Sequence, residues 1–315
     1  MAMSNETSIT QFILLGLSSN SDLQTVIFVQ FFVMYLLALV GNLLIIITIY
    51  VDSHLHSPMY FLLSNLSFID LSFATVTVPK FLVSFLMQNK TISFSDCLAQ
   101  IFFLHLMGAA ECFHLSLMAY DRYVAICNPL RYTIIMNRQA CLQLVASIWV
   151  AGFIHGLVQA LPSTQLPFCG PNQIDHFFCD VLPISLLACS NTDIIEMLAL
   201  INSGLLSLIC FLVVSISYTY IISTVLKIRS SEGRKKTFST CASHLLVVTL
   251  FFGPVLFIYM RPSVKFTGDK MVSVFYAIVT PVLNPCIYTL RNKKVKSAMK
   301  RLGGRKVSLL ETQKN

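Results

Sequence analysis

Apolar residues do not alternate along this chain. They come in long blocks broken by short polar stretches. No Asp, Glu, Lys or Arg lies between Asp22 and Asp52, between Glu196 and Lys227, between Lys236 and Arg261, or between Lys270 and Arg291. Each block holds at least the ~20 residues an α-helix needs to cross a bilayer. A fifth charge-free block, Arg138 to Asp175, contains one span around Cys141–Leu161 and then Pro162, Pro167, Gly170 and Pro171, which read as loop. Pro58–Leu86 and Cys97–Cys127 are also long and apolar enough to span, although Asp70 and Glu111 interrupt them. The pattern predicts an all-α membrane protein with seven transmembrane helices. A transmembrane β-barrel would need alternating segments of ~10 residues, which are absent.

Composition sharpens this picture. Of 315 residues, 56% are hydrophobic and 11% charged, against ~25% charged in soluble domains. That excludes a soluble globular protein, and disorder, which needs low hydrophobicity and high charge. The formal charge of +8 reads as membrane topology rather than nucleic-acid binding. With the N-terminus outside, 17 Lys and Arg fall on the inner side and 5 (Lys80, Lys90, Arg261, Lys265, Lys270) on the outer. The positive-inside rule selects that orientation. It divides the chain into an outer N-terminus (1–23), the seven-span region (24–290), and an inner amphipathic helix with tail (291–315).

Residues 1–22 lack a basic and an apolar signal region, so the first helix is expected to direct insertion. Asn5-Glu6-Thr7 is a glycosylation sequon on the outer side, and Asn89-Lys90-Thr91 a second, closer to the membrane. Asn65-Leu66-Ser67 falls inside a helix and is disregarded. No inverted repeat argues for a transporter, and no filter loop for a channel. Phosphate-binding glycine motifs and hydrolase-type metal pairs are missing too, so no catalytic site is expected.

Cys97, Cys169, Cys179 and Cys189 fall outside, where disulfides persist. Four cysteines allow three pairings. A 97–179 bridge would pin the long second outer loop over the bundle, and 169–189 would close its own lobe. The alternative is a zinc site using His176 and Cys179.

Longer strings carry a resemblance. Leu55-His56-Ser57-Pro58-Met59-Tyr60-Phe61 enters the second helix, and Met118-Ala119-Tyr120-Asp121-Arg122-Tyr123-Val124-Ala125-Ile126-Cys127 ends the third. Lys236 to His244 opens the sixth, Pro281-Val282-Leu283-Asn284-Pro285-Cys286-Ile287-Tyr288 closes the seventh, and His176-Phe177-Phe178-Cys179-Asp180 sits in the outer loop. These strings resemble the odorant receptors, a family of rhodopsin-like G-protein-coupled receptors, over Gly41 to Arg291. The short third outer loop resembles the tetrapod-type subclass, which favours airborne ligands. Two positions depart from the family pattern: Thr237 stands where Ala is usual, and Phe252 where Tyr is usual.

The resemblance implies a small volatile odorant as ligand, a heterotrimeric G protein of the stimulatory olfactory type as partner, and a rise in cyclic AMP. It also implies a plasma-membrane location in olfactory neuron cilia and a resting lock around Asp121, Arg122 and Tyr123. Alternatives are a receptor of the same family for a metabolite outside smell, or a small-molecule transporter. Tyr218, His244 and Tyr288 lie near the inner ends of their helices, within reach of Arg122, and Asn284 and Pro285 of the seventh helix are expected to serve the same activation step. Pro254 and Pro285 remove backbone donors and permit kinks. Lys227 to Lys236 and the basic residues after Leu290 form an inner surface suited to anionic lipid and the G protein.

Asp70 lies twelve residues after Pro58, ~18 Å deep, and Glu111 eleven before Arg122, ~16 Å from the inner end. The two carboxyls should meet near mid-bilayer, with Asn42 and Asn284 at similar depth. Such a pair shares a proton or binds a cation. The expectations are a sodium site or a hydrogen-bonded network without metal.

Helical stripes drawn outward from Arg122, Tyr218 and His244 predict the ligand cavity. They place His105, Gly108 and Cys112 on the third helix, Asn202, Ser203 and Leu206 on the fifth, and Val255 and Tyr259 on the sixth. Ala109, Phe252, Leu256 and Ala277 join them, with His155 and Gln159 on the fourth helix. Small residues beside isolated polar ones suit a small apolar cavity with a few orienting groups. The third helix carries Leu104 and His105 where amine receptors place an aspartate, and no lysine lies mid-way along the seventh. A cationic amine and a retinal Schiff base are therefore excluded. Arg261, near the rim, is the one candidate partner for a carboxylate; its alternative is snorkelling to the interface. The expected ligand is neutral, mostly apolar, and carries one hydrogen-bonding group.

Overall fold

The computed structural model describes residues 10–168, 171–228, 230–261, 268–292 and 294–302. Among them are seven helices long and apolar enough to span a membrane: α1 (Ser21–Val51), α2 (Pro58–Leu86), α3 (Phe94–Cys127), α4 (Arg138–Ser163), α5 (Asp193–Leu226), α6 (Ser231–Tyr259) and α7 (Asp269–Thr289). Local chemistry sets most starts. Asn20 Oδ1 accepts from the Asp22 and Leu23 amides, Ser93 Oγ from Asp96, Asn137 Oδ1 from Ala140 and Ser230 Oγ from Gly233. Pro58 takes the first position of α2, where its missing N–H costs nothing. The helical backbone of α7 runs on to Arg291. After a break at Asn292, whose Oδ1 accepts from the Lys294 and Val295 amides, helix resumes over 294–302. The inner amphipathic helix therefore begins three residues later than its predicted start, because Asn292 caps it.

α3 is the central strut, with buried positions along its whole length from Cys97 to Val124. α4 approaches it through two glycines. A Cβ at Gly152 would sit 2.9 Å from the Leu106 carbonyl oxygen, and one at Gly156 would sit 2.7 Å from that of Phe102. Small residues one turn apart let two backbones touch, which is how membrane helices pack without a hydrophobic drive. By contrast α1 exposes Val26, Val29, Phe32, Val33, Leu36 and Leu37, an apolar face with lipid as its natural solvent.

A small sheet, unannounced by the hydrophobic pattern, covers the outer end. β1 (Gln11–Leu14) runs antiparallel to β2 (Thr91–Ser93) and parallel to β3 (Gln173–Ile174). The chain before α1 is thereby tied to the second outer loop. Cys97 and Cys179 are disulfide-bonded, which removes Cys179 from the zinc reading. Cys189 is also disulfide-bonded, while Cys169 lies outside the described residues, as do Asn5 and most of the third outer loop.

Two stretches depart from α geometry. Ala199–Leu205 in α5 and Phe275–Val279 in α7 are π-helical. Such turns hold an extra residue and are frequent at functional sites.

Candidate functional site

A cavity of about 40 Å³ lies among α3, α5, α6 and α7 in the outer half of the bundle. That is room for a few waters at most, so a ligand must widen it. The residues lining it include His105, Gly108, Ala109, Cys112, His155, Ser203, Leu206, Val255 and Tyr259, all expected from the sequence. Phe73, Leu104, Ser207, Phe251 and Tyr276 complete the wall.

Five predicted residues do not line it. Gln159 stands behind the wall, and its Nε2 donates to Ser203 Oγ at 2.9 Å. Asn202 is turned to α4, where its Nδ2 donates to the His155 backbone carbonyl at 3.4 Å, and its own backbone carbonyl lies 3.1 Å from His155 Nε2. Phe252 packs edge-on against Phe251 and tilted against Phe211, so its missing hydroxyl leaves the cavity floor unchanged. Leu256 and Ala277 pack in the core. The π turn in α7 explains part of this pattern, since its added residue rotates the register and brings Tyr276 to the cavity in place of Ala277. Ser207 lies in regular α-helix, one turn inward of Ser203.

The roof is a carboxylate that helical stripes could not reveal. Asp180, one residue past the bridged Cys179, is 3% exposed. His105 Nε2 lies 3.0 Å from its Oδ1, and Tyr259 OH donates to its Oδ2 at 2.8 Å. Burial pushes the Asp180 carboxyl up, but the bonds from His105 and Tyr259 outweigh it and hold it below the usual carboxylate range. One loop residue thus ties the outer ends of α3 and α6 together. A signal existed in the sequence: a 97–179 bridge places residue 180 over the start of the third helix. Close by, Gly204 lets α5 abut α6, since a Cβ there would meet the Tyr259 carbonyl oxygen at 2.7 Å.

Arg261 is engaged elsewhere. Its guanidinium pairs with Asp269 and lies 5.0 Å over the Phe257 ring. It neither snorkels freely nor lines the cavity, so the rim offers no free guanidinium for a carboxylate.

Deeper in the bundle, Asn284 Nδ2 donates to both Asp70 oxygens at 3.0 Å. Asn42 Nδ2 bridges the carbonyls of Ala38 and Pro281, joining α1 to α7. Glu111 is fully buried and close enough to Asp70 for the two to interact electrostatically. Neither Glu111 oxygen has a hydrogen-bond partner among the described residues. No group of three or more His, Cys, Asp or Glu side chains is gathered for a metal among the described residues.

At the inner end, Tyr218 OH and His244 Nδ1 lie 2.9 Å apart, joining α5 to α6. Asp121 accepts from Tyr132 OH at 2.8 Å, so its bond reaches the second inner loop. Arg122 is half-buried and makes no ion pair among the described residues. Tyr123 packs edge-on against Tyr220 of α5. Tyr288 is buried and its hydroxyl has no hydrogen-bond partner among the described residues. Pro285 lies inside α7 and Pro254 inside α6.

Seven helices, a roofed cavity in their outer half and an arginine among aromatic and imidazole groups at the inner end define a receptor of the seven-helix, G-protein-coupled class. The profile of the family described as "Olfactory receptor" matches residues 31–306. The chain is 54% identical to olfactory receptor 4E2 of Mus musculus over 307 residues, 98% of this chain and 99% of that one. It is 55% identical to olfactory receptor 4Q2 of Homo sapiens over 301 residues, 95% of each chain, and 54% identical to human olfactory receptor 4Q3 over 303, 96% of each. The chain belongs to the olfactory receptor family. It is a multi-pass membrane receptor and not an enzyme.

Proposed function

We propose that this receptor binds a small, neutral, volatile molecule in the cavity beneath Asp180 and signals through a stimulatory olfactory-type G protein to raise cyclic AMP. The observation that carries this reading is the Asp180 roof. It links α3 to α6 directly above a cavity too small for a ligand. A volatile alcohol, ketone, ester or phenol that enters must spread those helices, and its one polar group can bond to His105 or Tyr259. Binding favours the open arrangement only through that differential affinity. Few polar contacts are available, so affinity is modest.

An outward shift of α6 about Pro254 would separate His244 from Tyr218 and uncover Arg122 for the G protein. Asp70 and Glu111 would hold a sodium ion in the resting state. The orphaned Glu111 oxygens support this reading, because a buried carboxylate without a partner needs a proton or a cation. Asn284 would supply a neighbouring side-chain oxygen. Asn5 and the plasma membrane of olfactory cilia complete the reading as glycosylation site and location.

The test is a screen of diverse volatiles in cells expressing the receptor, with cyclic AMP as readout and Arg122→Ala as control. Responses are expected in the wild type and absent in the variant at equal surface expression. A response that survives Arg122→Ala contradicts the proposed route.

A further inference from the structure

A second, larger cavity has no part in that mechanism. About 420 Å³ of space lies between the outer ends of α1 and α2, beneath the segment Leu14–Ser18. That falls within the ~300–1,000 Å³ range of small-ligand sites. Ile27, Phe81, Phe85 and Phe177 give it an apolar wall, and Ser18, Gln24, Gln88 and Lys90 a polar side. No acidic residue lines it. Lys90 takes part in none of the ion pairs among the described residues.

This asymmetry selects an occupant. One apolar wall facing one unpaired ammonium suits a single alkyl chain ending in an anion. The volume is too small for a two-chain lipid. The cavity is also in packing contact with the inner one. The Phe81 and Phe177 rings are 5.9 Å apart, Phe177 and Phe178 4.6 Å, and Phe178 and Tyr276 6.5 Å. Tyr276 lines the inner cavity. Close-packed rings cannot yield without moving their neighbours.

We propose that this outer cavity binds a medium-chain carboxylic acid, with its chain against Phe81, Phe85 and Phe177 and its carboxylate beside Lys90. Occupancy then alters the inner cavity through Phe178 and Tyr276. The coupling rests on the receptor function proposed above, and the binding does not.

The probe is decanoic acid bearing a photoreactive diazirine, applied to the full-length receptor in phosphatidylcholine nanodiscs, with labelled peptides mapped by mass spectrometry. Label is expected on the peptides around 14–27 and 81–90, displaced by decanoate and not by decanol. Lys90→Gln, which keeps the Asn89-x-Thr91 sequon, should weaken labelling roughly tenfold. Ser84→Phe, which fills the space, should abolish it, and Gly108→Val in the inner cavity should leave it intact. Decanoate should shift the cyclic AMP response to an activating volatile in the wild type and not in Ser84→Phe. Label confined to α3 and α6, equal displacement by decanol, or labelling unchanged in both Lys90→Gln and Ser84→Phe overturns the site. Loss of label on adding phosphatidylglycerol assigns the cavity to lipid headgroups and overturns the proposal as well. A decanoate shift that persists in Ser84→Phe, or no shift in the wild type, overturns the coupling alone.

Discussion

Asp180 shows how much one side chain can decide. Hydrogen bonds to a charged group contribute about 1.5–3 kcal/mol each, and Asp180 receives two from opposite sides of the cavity. Asp180→Asn weakens both and releases α6 from α3, so ligand-independent cyclic AMP should rise. Tyr259→Phe removes one bond and an orienting hydroxyl. Relative to pure hydrocarbons, which gain from the loosened tie between α3 and α6, it should cut the potency of hydrogen-bonding volatiles about tenfold, as read from concentration–response curves.

A neighbour gives a pH dependence. His176 is 4% exposed, stacked on Phe177, with Nε2 3.2 Å from Ser273 Oγ. Burial holds its pKa down to about 4, against an ordinary 6.5. The folded loop therefore keeps the ring neutral while the unfolded loop protonates. Its stabilising contribution is complete above about pH 6.5, shrinks as pH falls toward 4, and changes no further below that. At pH 5 the loss is roughly 2 kcal/mol. The depressed Asp180 carboxyl adds its own loss only below its ordinary value near 4. Thermal unfolding in nanodiscs should show a lower midpoint at pH 5 than at pH 7.5, and His176→Gln should flatten that difference.

At the scale of elements, helix existence was legible and rotation was less so. Charge-free blocks locate five of the seven spans, because lipid tolerates few charges, and long apolar blocks interrupted by Asp70 and Glu111 locate the other two. The stripes found His105, Gly108 and Tyr259, where α3 and α6 keep regular geometry. They missed Tyr276, inside a π turn that no hydrophobic pattern encodes, and Ser207, which lies in regular α-helix eleven residues outward from Tyr218, where the stripe takes Leu206 beside it. They missed Asp180 because its contacts span 75 and 79 residues of sequence and depend on a loop held by a disulfide. The outer sheet escaped for a related reason: its strands are two to four residues long and pair across distant segments. The α3–α4 seam is testable here. Gly156→Ala would force a Cβ to 2.7 Å from a backbone oxygen, at a cost of about 1–3 kcal/mol. A lowered melting midpoint and reduced surface expression should follow, while Gly253→Ala, with nothing within 4 Å, serves as control.

The whole molecule is two constrictions joined by rigid helices. At the outer one Asp180 holds α3 to α6, and at the inner one Tyr218 meets His244 beside Arg122. Between them lies the Asp70–Glu111 pair. If it holds sodium, replacing sodium by choline should raise basal cyclic AMP in the wild type and have no effect in Glu111→Gln. An equal rise in both would leave the pair without an ion. The central claim is that volatiles act from the small cavity under Asp180, and filling that cavity addresses it most directly. A Cβ at Gly108 meets only the Phe73 ring edge, at 3.6 Å, so Gly108→Val should fold normally while occupying the space. Cyclic AMP responses to every volatile that activates the wild type should disappear in Gly108→Val at matched surface expression. An unchanged response profile would place the ligand elsewhere and contradict the account.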